Sequence, residues 1–254
     1  MSEPDSADLP DTVAVAWGVR GRPHKGPRPG LSLERIVAAA IRVADAEGLA
    51  AVSMSRVATA LGTAPMSLYR YVTAKDELLA LMVDAAYGPP PSGPLPSSQA
   101  ADTRWRAGLS RWAWAMRAEV QRHPWVLRIP ISGLPTLPNE VAWFEEGLRC
   151  LRDTGLEENQ KASGILLVSG YVRNAASIDA DIEAAVRASG KTPDEWMSSY
   201  ARTITMLADP RRFPALTKFI AAGVFDRADP PDDEFSFGLG RILDGLGVLI
   251  ASHP

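Results

Sequence analysis

One cysteine, three histidines and no long apolar run set the first limits on this 254-residue chain. Cys150 stands alone, which excludes an internal disulfide and any zinc site built from several cysteines. It closes a helical apolar run, so a buried structural thiol is expected rather than a redox sensor. His24, His123 and His253 are far apart and have no carboxylate or cysteine at ligand spacing, so neither a metal nor a cofactor is expected. No stretch reaches the roughly eighteen uncharged apolar residues of a membrane span. The chain starts acidic and polar, without the basic-then-apolar order of a secretory signal. A soluble, cytoplasmic protein is expected.

The signatures of catalysis are also missing. There is no Gly-x-Ser-x-Gly elbow, phosphate loop or dinucleotide fingerprint, and Gly238-Leu239-Gly240 lacks the strand that should precede one. The acids Asp226, Asp229, Asp232, Asp233 and Glu234 read as a solvated loop running into a helix N-terminus. No enzyme is expected. A net charge of −3 argues against a general nucleic-acid coat protein, so any DNA contact must come from local basicity.

What the chain does have is helical patterning and a 46% apolar share, ample for a core. Ser32 caps a first helix over roughly 33–47, with Ile36, Val37, Ala40, Ile41 and Ala44 on one face and Gly48 as its stop. Ser53 caps a short helix facing Val57, Ala58 and Leu61 inward, and Gly62 sits just past its end. Pro65 suits the first turn of a second short helix, roughly 65–72, with Leu68 inside and Ser67, Tyr69 and Tyr71 outside. A short helix, a glycine turn and a second short helix with polar and aromatic ends is the geometry that enters a DNA major groove. Thr73, with Asp76 three residues on, predicts a capping box for a fourth helix over 74–87.

Residues 88–98, GPPPSGPLPSS, cannot continue a helix and mark a joint. Beyond it Trp105, Leu109, Trp112, Met116 and Val120 fall at helical spacing up to Pro124. A proline loop over 130–138 and a helix through Val141, Phe144, Leu148 and Leu151 follow. An apolar run over 159–177 then gives way to a more polar segment up to Gly190. Thr192-Pro193 opens a helix with Trp196, Tyr200, Thr203 and Leu207, Phe213 to Ala222 is short, and Glu234 to Ser252 closes the chain. No strand and no repeat is expected.

The N-terminal charges are segregated. Residues 1–16 hold four acids and no base, whereas residues 17–30 hold Arg20, Arg22, Lys25 and Arg28 and no acid. The glycines and prolines there forbid a stable helix, so a flexible arm over 1–30 is expected, with its cations on a minor groove or its phosphates.

The span from Leu33 to Leu81 resembles the tetracycline-repressor (TetR) family of bacterial regulators. The residues that carry the likeness are Ile36, Ala40 through Gly48-Leu49, Val57-Ala58, Leu61-Gly62, Leu68-Tyr69, Tyr71-Val72, Lys75 and Glu77-Leu78-Leu79. His123-Pro124-Trp125, Phe213-Pro214-Ala215-Leu216 and the apolar last helix resemble the subgroup that contains the tetracycline repressor itself. The resemblance implies an all-α fold, with a three-helix helix-turn-helix domain over 31–77 joined to a larger effector-binding and dimerisation domain over 78–254. It implies base contacts from Ser55, Arg56, Ala64, Pro65, Met66 and Ser67, and phosphate contacts from Tyr69, Tyr71 and Lys75. Ser55 stands where relatives often carry arginine, which leaves the arm more to do.

By the same resemblance Trp112, Met116, Trp143, Phe144, Tyr171 and Asn174 lie on helices that line an effector pocket, although aromatics at helical spacing are equally what a core requires. The stripe Leu239, Ile242, Leu243, Leu246, Leu249 and Ile250, marked by glycines, reads as one half of a four-helix dimer interface. Residues 163–170 have the same mixture of small and apolar side chains and read as the other half. The implied function is a homodimeric repressor on a palindromic double-stranded operator, released by an unknown small-molecule effector and without membrane attachment. An activator, a ligand-independent regulator of the same fold and an interaction module without DNA binding stand as alternatives.

Overall fold

In the computed structural model, which describes residues 9–19, 31–93, 101–131, 133–225, 230 and 232–252, α2 (Leu33–Glu47) begins where expected. The Ser32 hydroxyl accepts from the Arg35 amide at 3.3 Å. Helix α3 (Met54–Ala60) starts the same way, with Ser53 accepting from the Arg56 amide at 3.1 Å. The chain then turns at Gly62, whose φ of 64° lies in the left-handed region that glycine enters without steric cost. Pro65 opens α4 (Pro65–Leu68), where its missing N–H costs nothing.

The start of α5 (Lys75–Tyr87) differs from the predicted one. Ala74 holds the cap position, and Thr73 donates both its amide and its hydroxyl to Glu77 Oε2, at 2.6 and 2.7 Å. The acid that reaches back is Glu77 rather than Asp76, because the longer side chain spans the first turn from deeper in the helix.

Ile36, Val43, Val57, Leu68, Leu78 and Met82 bury the apolar faces of α2 to α5 in one core. The expected domain boundary after residue 77 falls inside α5, whose Leu78, Leu81, Met82 and Ala86 all belong to that core. Two further members come from the other half of the chain. After α6 (Ala101–Arg122), a 3-10 turn over Pro124–Arg128 pushes Trp125 and Val126 into the same core. Asp45 on α2 fixes this plug: its Oδ1 accepts from Trp125 Nε1 at 2.7 Å and lies 2.8 Å from His123 Nδ1.

A second core joins α6, α7 (Pro138–Leu151), α8 (Glu158–Ser189) and α11 (Asp233–Ala251). Helix α8 is one 32-residue rod, so the polar segment expected after residue 177 simply continues it until Gly190. Buried Asp84 of α5 ties the two cores together by capping α7. Its Oδ1 accepts from the amides of Asn139 and Glu140 at 2.8 and 3.0 Å, and its Oδ2 from Asn139 Nδ2 at 3.0 Å.

Cys150 is buried in the second core, and that burial pushes its thiol up to about 11. Near pH 8 only about one molecule in a thousand would carry the reactive thiolate. Native protein should therefore resist iodoacetamide at that pH and react only after unfolding. Stoichiometric labelling of the folded chain would show that the thiol is reachable.

Two N- and C-terminal expectations change. The predicted arm contains α1 (Asp11–Ala16), whose Ala14 is buried and whose Ala16 packs on the first core. Trp17 Nε1 then donates to the Thr136 carbonyl at 2.8 Å, so residues 11–17 are docked rather than free. A six-residue helix after an acidic run is too short to show an apolar period. At the other end, Leu239, Leu243 and Leu246 of the expected dimer stripe are spent inside the subunit, against α6 and α8. Ile242 and Ile250 lean on the same core, and Leu249 is half-buried. The outward residues of α11 are Phe237 and Val248, 68% and 73% exposed.

Gly238 is explained by the same packing. A methyl group built there would overlap the Tyr171 hydroxyl and ring, which stacks on Phe235 with centroids 5.4 Å apart. Helices α9 (Pro193–Leu207) and α10 (Pro214–Ala221) bury no residue at all and expose Met206, Leu207 and Phe219.

Candidate nucleic-acid interface

The two short helices present a continuous outer surface. Ser55, Ala64, Pro65 and Met66 are exposed, Met66 at 74%, while Ser67 is half-buried beside them. Leu68, buried completely, anchors α4 from beneath. This surface is short of hydrogen-bonding groups. The Thr59 hydroxyl is turned inward onto the Ser55 carbonyl at 2.9 Å. Arg56 forks onto the Glu47 carboxylate, a hydrogen bond that holds Glu47 below and Arg56 above their ordinary pKa values. Its guanidinium is thus engaged with the end of α2, although both partners are solvent-accessible.

The phosphate candidates divide. Tyr69 is exposed, and Lys75 stands exposed at the first position of α5, where a cation opposes the helix dipole. Tyr71 instead packs on the first core and donates its hydroxyl to the Leu31 carbonyl at 3.1 Å. Its one proton is therefore used within the protein, and its role is to fix residue 31 at the head of α2. Arg70, between the two tyrosines, was passed over in the sequence. It is exposed and makes no ion pair among the described residues. Its place directly behind the second short helix was the signal for it. Arg20, Arg22, Lys25 and Arg28 lie outside the described residues.

Two family descriptions match this chain: bacterial regulatory proteins of the tetR family over residues 36–82, and the tetracyclin repressor-like C-terminal domain over residues 96–250. The chain belongs to the TetR family. That is a family of DNA-binding transcriptional regulators and not of enzymes. A relative, the HTH-type transcriptional repressor DrrR1 of Streptomyces coeruleorubidus, is 38% identical over 248 residues, covering 98% of this chain and 89% of that protein. Apo ActR of Streptomyces coelicolor superposes with a TM-score of 0.69 at 26% identity, over 90% of this chain and all of that one. ActR in complex with actinorhodin gives 0.68 at 29% identity, over 87% of this chain and 97% of that one. The TetR fold is thereby shown for both halves. Among the described residues no helix is long and apolar enough to cross a membrane.

Most of the effector residues implied by the resemblance are packed against their neighbours. Trp112 is buried, donates its Nε1 to the Trp143 carbonyl at 2.9 Å and meets the Trp143 ring edge-on at 5.8 Å. Trp143 in turn donates to the Gly88 carbonyl at 2.9 Å, and Met116 fills the second core with Phe144 against it. The Tyr171 hydroxyl points at the carbonyls of Glu234 and Phe235, both at 3.1 Å. Asn174 is exposed on α8. Their spacing is core spacing: satisfied indole N–H groups and edge-on rings are what a packed interior demands. A cavity does exist, between α6 and α11, and none of these six residues lines it.

Proposed function

We propose that the chain is a homodimeric repressor that binds a palindromic operator and is released by a small-molecule effector. One observation supports assembly above all: apolar side chains on adjacent helices are left largely uncovered. Leu166 and Leu167 on α8, and Phe237 and Val248 on α11, are all more than half exposed. Beside them, methyl groups built on Gly170 or Gly245 would meet no atom within 4 Å, so a second backbone can approach closely. A two-fold pairing of these faces, with α9 and α10 resting on the second copy, would hold two reader heads about 34–36 Å apart, the separation of successive major grooves.

On DNA, Met66 and the Ala64-Pro65 pair make apolar contacts with base edges. Tyr69, Arg70 and Lys75 hold phosphates, and the cations at 20, 22, 25 and 28 add to them. Lys75→Ala should weaken binding to operator and random duplex alike and make the salt dependence shallower by about one unit. Weaker operator binding at an unchanged salt slope would remove the phosphate role from Lys75. The overall reading is tested by electrophoretic retardation of duplex taken from beside the protein's own gene. Retardation that survives an excess of random duplex is the expected result. Equal competition by random duplex would overturn the repressor reading.

A further inference from the structure

We propose that the groove between α6 and α11 is a binding site for a flat, mainly apolar molecule that carries oxygen acceptors. This deepens the effector-responsive reading above and rests on it. The groove is open to solvent and offers about 440 Å³, inside the range of about 300–1,000 Å³ typical of small-molecule sites. Its walls are chemically mixed. Trp114, Leu239 and Leu243 supply apolar surface, while Arg106, Ser110 and Ser236 bring N–H and O–H groups to the same space.

Each of those polar groups can donate a hydrogen bond. The contacts of Arg106 among the described residues all fall on Nη2, which lies 2.7 Å from Asp244 Oδ1 and 3.3 Å from the Gly240 carbonyl. Its Nε and Nη1 remain to serve an occupant. Asp244 is shared, its Oδ2 lying 2.7 Å from Arg241 Nη2, so the Arg106 guanidinium is only partly neutralised and remains a donor for carbonyl, hydroxyl or phenolate oxygens. The apolar wall is held rigid from behind. Trp114 meets Phe235 edge-on at 4.7 Å, and the Arg117 guanidinium lies over both rings, at 5.4 and 4.6 Å. Arg117 is itself buried and clamped between Asp179 and Asp232. A ring set in that way is prepared to stack on a planar ligand without reorganisation.

Gly240 makes the site testable. It faces the cavity, and a methyl group built on it would meet nothing within 4 Å. Gly240→Leu therefore fills the groove without straining the backbone, in a helix that leucine favours over glycine. Ser110→Leu narrows it from the opposite wall. The probe is 1,8-dihydroxyanthraquinone, followed by quenching of tryptophan fluorescence. Saturable one-site quenching is expected in the wild type, with affinity reduced by about tenfold or more in each variant. Circular dichroism and DNA retardation without probe should be unchanged in both. Absence of saturable quenching in the wild type, or quenching indifferent to both substitutions, would overturn the site. A change in sedimentation with unchanged probe affinity would also overturn it, making the groove a subunit contact. The outcomes separate from those of the repressor reading: probe binding that responds to Gly240→Leu in a protein that ignores operator DNA keeps the site and removes the repressor.

Discussion

Leu246→Glu is expected to leave no folded protein, whereas Val248→Glu should keep the fold and take the dimer apart. The two positions are neighbours on one helix, yet Leu246 is 6% exposed and Val248 is 73% exposed. Leu246 sits against Gly164 and Leu151, so closely that a methyl group built on Gly164 would lie 3.4 Å from its Cδ2. A carboxylate placed there would be buried among apolar side chains, and an uncompensated buried charge costs about 3–5 kcal/mol. That is a large part of the roughly 5–15 kcal/mol by which a domain is stable. Val248→Glu buries nothing in a single subunit. In the proposed dimer it sets a charge on an apolar face, so far-ultraviolet circular dichroism should be unaltered, sedimentation should report a monomer, and operator binding should be lost. If Val248→Glu sediments as a dimer and binds operator normally, the outward face of α11 is not the interface.

Asp84→Ala should lower stability by about 3 kcal/mol, because charge-assisted hydrogen bonds and a helix cap disappear together. The amides of Asn139 and Glu140 would lose their acceptor at the half-buried start of α7, and the Asn139 side chain would keep only the residue 84 backbone carbonyl at 3.1 Å. Urea unfolding gives the measurement, and a loss below about 1 kcal/mol would mean that water replaces the carboxylate at no cost. The pH dependence has a definite sign. Burial raises the Asp84 carboxyl above its ordinary range despite those hydrogen bonds. A raised acid stabilises the fold fully below its unfolded pKa and loses that contribution as pH rises through the folded value. The gap between wild type and Asp84→Ala should therefore narrow as pH rises above the ordinary aspartate range.

The reader head was legible because its signals are local. Ser32, Ser53, Gly62 and Pro65 each act on the backbone within one turn, and the structure has each where its chemistry puts it. The length of α8 was legible only in part. Its second half is solvated and so looks like a change of element, yet no stop residue intervenes before Gly190. An apolar stripe on α11 was read as buried surface, and Leu239, Leu243 and Leu246 are covered within the subunit while Ile242, Leu249 and Ile250 are half-buried. Periodicity reports that a face is hidden and is silent on which neighbour hides it. The residues named for an effector pocket are, for the most part, packed within the subunit. The pocket was implied by resemblance alone, and the indoles of Trp112, Trp125 and Trp143 each donate inside the fold. The cavity that is present owes as much to Gly240 and two serines as to an aromatic wall, and small residues on a helix leave little trace in a pattern.

Trp125 limits how freely the two halves of such a protein can be recombined. The segment that carries it belongs to the larger half in sequence and to the smaller half in packing. A reader head cut after Tyr87 would carry an unfilled socket where Trp125 and Val126 sat, and an Asp45 without its donors. Grafted onto a foreign body, it would need residues 123–129 or a substitute of the same shape and polarity. Exchange of DNA specificity by shuffling whole domains is thus constrained, while substitution of Ser55, Ala64 or Met66 on the outer surface leaves the socket untouched. If that surface reads the operator as proposed, new operators are more easily reached by point changes on it than by trading heads.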